Sequence, residues 1–278
     1  MTQITAAQVN DLRKQTGAGM MDCKKALVET NGDFEKAIDV LRKKGQKVAA
    51  KRADRETSEG VVLSITNDTN NMGGLICLNC ETDFVAKNET FVDLARSILN
   101  KAINAESTSI DSIKDLSYDD STTTINEKLV EQTGVIGEKI EISSYFFIKA
   151  DYVASYIHPG NKLSSLVGFN IKSDGIMEIG KNIAMQIAAM NPIGIDESSV
   201  SKEVIEKEME IGKDLARKEG KPEAMLEKIA QGRLKKFFKE NTLLNQVYIK
   251  DSKLSILDYL KSEDENLIVS DFKRVQLG

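Results

Sequence analysis

Hydrophobic and polar positions along the chain change period several times, and each change marks an element. Thr5 and Gln8 have capping-box spacing, which predicts a first helix over residues 6–15 with Val9 and Leu12 turned inward. Gly17-Ala18-Gly19 breaks it. Met20, Cys23 and Leu27 recur at i, i+3 and i+7 on a second helix that stops at Asn31-Gly32. Asp33 then caps a third, whose apolar stripe of Phe34, Ala37, Ile38 and Leu41 ends at Gly45. Adjacent helical residues cannot both face one core, so one of Met20 and Met21 is expected at the surface, where a flexible thioether makes a good contact.

Beyond residue 59 the period shortens. Residues 61–65 and 74–80 read as a hairpin around Asn67–Asn71, followed by a helix bearing Phe91, Leu94, Ala95, Ile98, Leu99, Ala102 and Ile103. A polar Ser/Thr/Asp-rich stretch, Glu106 to Thr124, reads as a surface loop, and Ile125 to Gln132 as a short helix. The order then recurs: strands at 141–149 and 152–158, a turn at His158-Pro159-Gly160-Asn161, a strand at 165–171 and an apolar helix at 176–190. Two long charged helices follow, roughly 201–219 and 223–239, joined by Gly220-Lys221-Pro222. On the first, Val204, Glu208, Ile211 and Leu215 share one face and Ile205, Met209, Gly212 and Ala216 another, the pattern of an antiparallel helical hairpin. Strand-like segments at 247–249 and 267–269 return after it, so the hairpin is an insertion in a sheet.

The fold class is therefore α+β: an N-terminal three-helix module, a duplicated core with antiparallel sheets and an inserted helical hairpin. The expected division is a docking module at 1–45, which resembles the ubiquitin-associated-like fold, a charged linker at 46–59, core halves at 60–140 and 141–196, the hairpin at 197–241 and a return to the core at 242–278.

Length and charge narrow the function. At 278 residues the chain is long enough for more than one domain. A net charge of −5 provides no global field for nucleic acid. Arg42, Lys43, Lys44, Lys47, Lys51, Arg52 and Arg55 face only Asp54, but without interleaved aromatics this reads as a solvated connection before an RNA-binding patch. No secretory signal and no membrane-length apolar run are seen, which makes the cytoplasm the expected location.

Candidate chemistry is sparse. Three cysteines do not suit a disulfide framework. Cys77 and Cys80 form a C-x-x-C, but on a strand this spacing points the thiols to opposite faces, and zinc is an equally poor reading, since a tetrahedral site wants four Cys or His ligands and would need all three Cys and His158 of the whole chain. The residues are read as offering no G-x-S-x-G elbow, G-x-x-x-x-G-K phosphate loop, H-E-x-x-H or dinucleotide fingerprint. His158 reads as a turn or interface residue, since a catalytic histidine needs a partner to orient it. No cofactor, metal or catalytic residue is expected. Glu81-Thr82-Asp83-Phe84-Val85-Ala86-Lys87-Asn88-Glu89 stands out instead, because it puts a large ring in a polar connection between strand and helix. Phe84 either tucks back into its own core or is presented to a partner.

Two long motifs carry a resemblance. Leu12-Arg13-Lys14-Gln15-Thr16-Gly17-Ala18-Gly19-Met20-Met21-Asp22-Cys23-Lys24-Lys25-Ala26-Leu27 is similar to the N-terminal signature of the bacterial elongation factor Ts family, and Thr82-Asp83-Phe84-Val85-Ala86-Lys87-Asn88 resembles its second signature. Gly134-Val135-Ile136-Gly137-Glu138, Tyr156-Ile157-His158 and Gly232-Arg233-Leu234-Lys235-Lys236-Phe237 add weaker matches. The resemblance implies a guanine nucleotide exchange factor without covalent chemistry of its own, whose partner is elongation factor Tu in GDP-bound and nucleotide-free forms. It implies that Asp83 and Phe84, with Thr82, Val85 and Lys87 beside them, enter the GTPase domain of Tu, disturb its magnesium site and loosen GDP. Arg13, Met20, Met21 and Lys24 would grip the same domain, and Ile136, Gly137 and His158 would meet Tu outside it. Several family members carry a C-terminal helical module beyond the last strand. This chain stops at Arg274-Val275-Gln276-Leu277-Gly278, so no contact from that module is expected. Apart from the resemblance, the residues alone also suit a ubiquitin-associated-like docking scaffold or an RNA-binding factor using Arg42–Arg55.

Overall fold

A computed structural model describes residues 4–119 and 122–278. Two positions of the expected Glu106–Thr124 loop, 120 and 121, and the first three of the docking module lie outside the described residues. The chain opens with three helices, α1 (Ala6–Thr16), α2 (Met20–Glu29) and α3 (Phe34–Lys51). Each boundary has a local cause. Thr5 and Gln8 form the reciprocal capping box at α1, Gly17 ends it in the left-handed conformation, and Asp33 caps α3 by accepting from the Lys36 amide. Val9, Leu12, Cys23, Ala26, Leu27 and Ala37 make the small core between the three helices.

Next come β1 (Glu59–Thr66), β2 (Met72–Cys80), a single-turn α4 (Asp83–Ala86), α5 (Glu89–Asn104), α6 (Ile110–Lys114) and α7 (Ile125–Ile136). The remainder is β3 (Glu141–Lys149), β4 (Tyr152–Ile157), β5 (Leu163–Phe169), α8 (Ile176–Met190), α9 (Lys202–Lys218), α10 (Leu226–Asn241), β6 (Val247–Tyr248), β7 (Asp251–Ser255), α11 (Ile256–Glu263) and β8 (Val269–Gln276). The architecture is α+β, as expected. Strands β1-β2-β3 form one sheet and β4-β5-β8 another, so each consists of a hairpin with a later strand beside its second member. β4 and β5 pair antiparallel, with Tyr152 opposite Phe169 and Ile157 opposite Ser164.

The chain divides into two units. The first holds the described residues up to Leu63 and within Ile76–Phe146, with Gln276–Gly278. In it, α3 does not stop at Gly45 but continues to Lys51. Gly45 is interior and buried because α7 crosses there: a Cβ added at Gly134 would lie 2.4 Å from the Gly45 Cα. Six residues of the expected linker are thus helical, because the close crossing offsets glycine's poor helix propensity. The polar stretch after Glu106 also differs from expectation, since it contains α6, with Ser109 and Ser112 as a capping box and Ile113 fully buried. α7 outlasts its expected end at Gln132 and closes at Gly137, which is left-handed with φ 82°.

The second unit holds Ser64–Leu75 and Phe147–Val275. Its core gathers Phe169, Ile179, Ile183 and Ile187 with Leu243, Ile256 and Val269, so the chain after the hairpin completes the core begun before it. The return includes β7 and α11, which the pattern did not reveal, and its last strand starts at Val269, two residues later than expected. In the hairpin, Gly212 and Ala216 are buried against α10, whereas Val204, Ile211 and Leu215 remain at least one-third exposed. Lys213–Glu227 at 2.8 Å and Arg233–Glu219 at 2.6 Å tie the two helices.

Candidate partner-binding site

Phe84 is 84% exposed, the highest exposure of any large hydrophobic side chain among the described residues. It does not fold back into its own core. The reason is local: β2 is buried along nearly its whole length and α5 is pinned by seven buried residues, so the connection between them has little freedom. In α4, Ala86 faces inward and Val85 is half-buried, which turns Phe84 outward. Asn88 then caps α5 by accepting from the Thr90 amide at 3.0 Å.

The turn is held from outside its own segment. Thr82 occupies the N-cap position of α4 but makes no capping bond, because its hydroxyl donates to Glu138 Oε1 at 2.6 Å. Glu138 Oε2 accepts the amides of Thr82 at 3.0 Å and Glu81 at 3.1 Å. The Glu81 carboxylate is met by Arg52 Nη1 at 2.8 and 2.7 Å, and its Oε1 accepts the Lys139 amide at 2.7 Å. Burial, the largest single influence, pushes the Glu81 carboxyl up. The Lys139 amide and the hydrogen bond and charge of Arg52, aided by Arg55, outweigh it and hold the carboxyl below the usual range.

Inside α4, Lys87 Nζ donates to Asp83 Oδ2 at 2.6 Å, and this bond and the carboxylate charge raise the Lys87 ammonium. The turn therefore presents an aromatic ring beside a paired carboxylate. Cys77 and Cys80 are buried free thiols, and burial, with the Glu138 charge second, pushes Cys80 up to about 12, so neither makes a ready nucleophile. Among the described residues no group of three or more His, Cys, Asp or Glu is placed to hold a metal ion, and no helix is long and apolar enough to cross a membrane. The spacing G-x-x-x-x-G-K does occur at Gly175–Lys181, but Asn182 follows where a phosphate loop requires Ser or Thr. It is not a loop: Gly175 is the N-cap of α8, and a Cβ added at Gly180 would lie 2.7 Å from that of Ala154.

The other anticipated residues lie on three further elements. Met20 and Met21 open α2 and both are exposed, at 53% and 61%. One of the pair was expected outside and both are; α2 begins at Met20, so both side chains precede the buried turn of Cys23, Ala26 and Leu27. Lys24 and Arg13 are exposed, on α2 and near the end of α1. Ile136 and Gly137 end α7 and are half-buried, and Glu138, bonded to Thr82, follows directly. These positions and Thr82–Lys87 belong to the first unit. His158 belongs to the second, in the β4–β5 turn, where its Nδ1 lies 3.1 Å from the Tyr156 hydroxyl and its carbonyl accepts the Asn161 amide at 3.0 Å. Glu138, Glu81 and Arg52 were not anticipated as site residues. Their partners lie 56, 58 and 29 positions away in sequence, beyond the reach of any local pattern.

The comparisons with known proteins agree with one another. A family description, Elongation factor TS, matches residues 81–278. Elongation factor Ts of Flavobacterium psychrophilum is 56% identical over the full length of both chains, and that of Christiangramia forsetii 55% over the same extent. Elongation factor Ts of Amoebophilus asiaticus is 51% identical over 99% of each chain. The chain belongs to the elongation factor Ts family and is a translation elongation factor.

Proposed function

We propose that this chain is a guanine nucleotide exchange factor that acts in the cytoplasm on elongation factor Tu, entering its GTPase domain with Asp83 and Phe84 and promoting GDP release. The observation that carries this reading is the 84% exposure of Phe84 on a turn fixed by Glu138 and, through Glu81, by Arg52. A ring held out in water gains free energy when a partner covers it, and a pre-set turn loses little entropy on docking. Exchange requires no covalent step. A protein that binds the nucleotide-free GTPase more tightly than the GDP-bound form weakens GDP by the same factor.

Magnitudes assign work to other residues. Burying one Phe provides about 1.5–3 kcal/mol. Loosening a nucleotide a thousandfold takes about 4 kcal/mol. Phe84 alone is therefore insufficient, and the exposed Met20 and Met21 pair, together with the exposed Arg13 and Lys24, supplies further contact area on the same partner domain. Ile136, Gly137 and His158 are assigned to contacts outside that domain.

The test is release of a fluorescent GDP analogue from elongation factor Tu at fixed magnesium. Substoichiometric chain should accelerate it, and Phe84→Ala should remove most of the acceleration while leaving circular dichroism unchanged. Equal release with and without the folded wild-type chain would refute the reading.

A further inference from the structure

Three hydrogen bonds converge on one side chain behind Phe84: the amides of Glu81 and Thr82 and the Thr82 hydroxyl all donate to Glu138, at 3.1, 3.0 and 2.6 Å. Glu138 follows Gly137, whose left-handed conformation ends α7, so the position of the carboxylate is set by a helix and not by a free loop. α7 is in turn locked to α3 at the Gly134–Gly45 crossing. We propose that Glu138 is a positioning residue for nucleotide exchange, holding the β2–α4 turn so that Phe84 already points outward in one orientation before a partner arrives. This rests on the exchange reading above.

The argument is one of population. α4 has four residues, too few to hold a helical turn by their own hydrogen bonds, and its N-cap hydroxyl is engaged with Glu138. Without that carboxylate, two amides and a hydroxyl exchange a fixed anionic acceptor for water, and the turn samples other conformations. The apparent affinity for the partner then falls by the fraction of chains that remain competent, whereas the rate from the fully docked complex is unchanged. Glu138 thereby acts on half-saturation alone, and Phe84 on half-saturation and on the plateau rate.

Exchange is measured as GDP-analogue release from elongation factor Tu across a range of chain concentrations. Glu138→Ala should raise the half-saturating concentration about tenfold, which corresponds to about 1.4 kcal/mol, and preserve the plateau. Glu138→Gln keeps an oxygen for the two amides and should recover most of the difference. Glu138→Asp keeps the charge, loses the reach and should resemble the alanine variant; it serves if Glu138→Ala does not fold. In a Phe84→Ala background, Glu138→Ala should add nothing, since it works through the ring. A separate arm uses no partner: amide hydrogen exchange at Glu81 and Thr82 should speed up in Glu138→Ala.

Unchanged amide protection, or lost protection with unchanged half-saturation, would overturn the proposal. So would an additive effect with Phe84→Ala, which would make Glu138 a direct contact. If the wild-type chain does not accelerate GDP release, the exchange reading fails, and the amide measurement still decides whether Glu138 holds the turn.

Discussion

Phe84 contributes almost nothing to the core of its own unit, being 84% exposed, so its removal should leave stability within about 0.5 kcal/mol. Its effect should appear in the partner reaction. Loss of about 1.5–3 kcal/mol of apolar burial corresponds to roughly a tenfold to hundredfold slower catalysed release of GDP, read by stopped flow beside an unchanged thermal melt. Glu81 makes a different prediction, because its carboxyl is held below the usual range in the folded chain despite partial burial. A folded-state pKa below the unfolded value adds stability above the ordinary carboxylate range, about pH 4.3, and that stability is lost as pH falls through the folded value. Acidification from pH 6 to 3 should therefore destabilise the wild-type chain more than Glu81→Gln, compared by urea midpoints, and carbon NMR should show Glu81 titrating below an ordinary glutamate. At this scale the sequence marked Phe84 as unusual and left its direction open. Whether an aromatic turns in or out depends on what lies beneath it, and Glu138 lies 56 positions from Thr82.

Glycines show how the same residue has opposite consequences in two helices. Gly134 in α7 meets the Gly45 backbone, and its Cβ would approach Gly45 Cα to 2.4 Å. Backbone cannot swing aside as a side chain can, so Gly134→Ala must separate α3 from α7, at a cost of about 1–3 kcal/mol. Gly232 in α10 is also inside a helix, yet a Cβ there would meet nothing within 4 Å. Gly232→Ala should therefore stabilise, by about 0.5–1 kcal/mol, since alanine restricts the unfolded chain and suits the helix. Urea unfolding of the two variants should show midpoints moving in opposite directions; a shared direction would contradict the packing described. This contrast also explains which elements were legible. The capping box at Thr5 and Gln8, the buried face of α5 and the extent of α8 followed from local spacing. The continuation of α3 through Gly45 did not, because a glycine that ends a helix and one that admits a neighbour look alike in sequence. α6 stayed hidden because its few apolar positions sit in a Ser/Asp-rich stretch.

For the whole molecule, the recurrence of a hairpin followed by a helix was readable, because element order survives when residue similarity does not; that β3, expected with the second half, lies beside β2 in the first sheet was not. The two sheets share one strand order, β1-β2-β3 and β4-β5-β8. Long-range completion was less readable: the core of the second unit depends on β8 and α11, which lie on the far side of an inserted hairpin. The proposed function is likewise a property of the molecule as a whole, since no single contact supplies the free energy that exchange needs. Thermodynamic linkage turns this into a quantitative demand. If the chain lowers the affinity of elongation factor Tu for GDP by some factor, GDP must lower the affinity of Tu for the chain by the same factor. Two titrations test it, one of GDP onto Tu with and without saturating chain, the other of the chain onto Tu with and without saturating GDP. The two ratios should agree, at a thousandfold each if the coupling is about 4 kcal/mol. Phe84→Ala and a Met20→Ala/Met21→Ala double variant should lower both ratios in step wherever their contacts favour the nucleotide-free form. A variant that weakens docking but leaves the ratios intact would identify contacts made equally to both forms, and so divide gripping residues from those that expel the nucleotide.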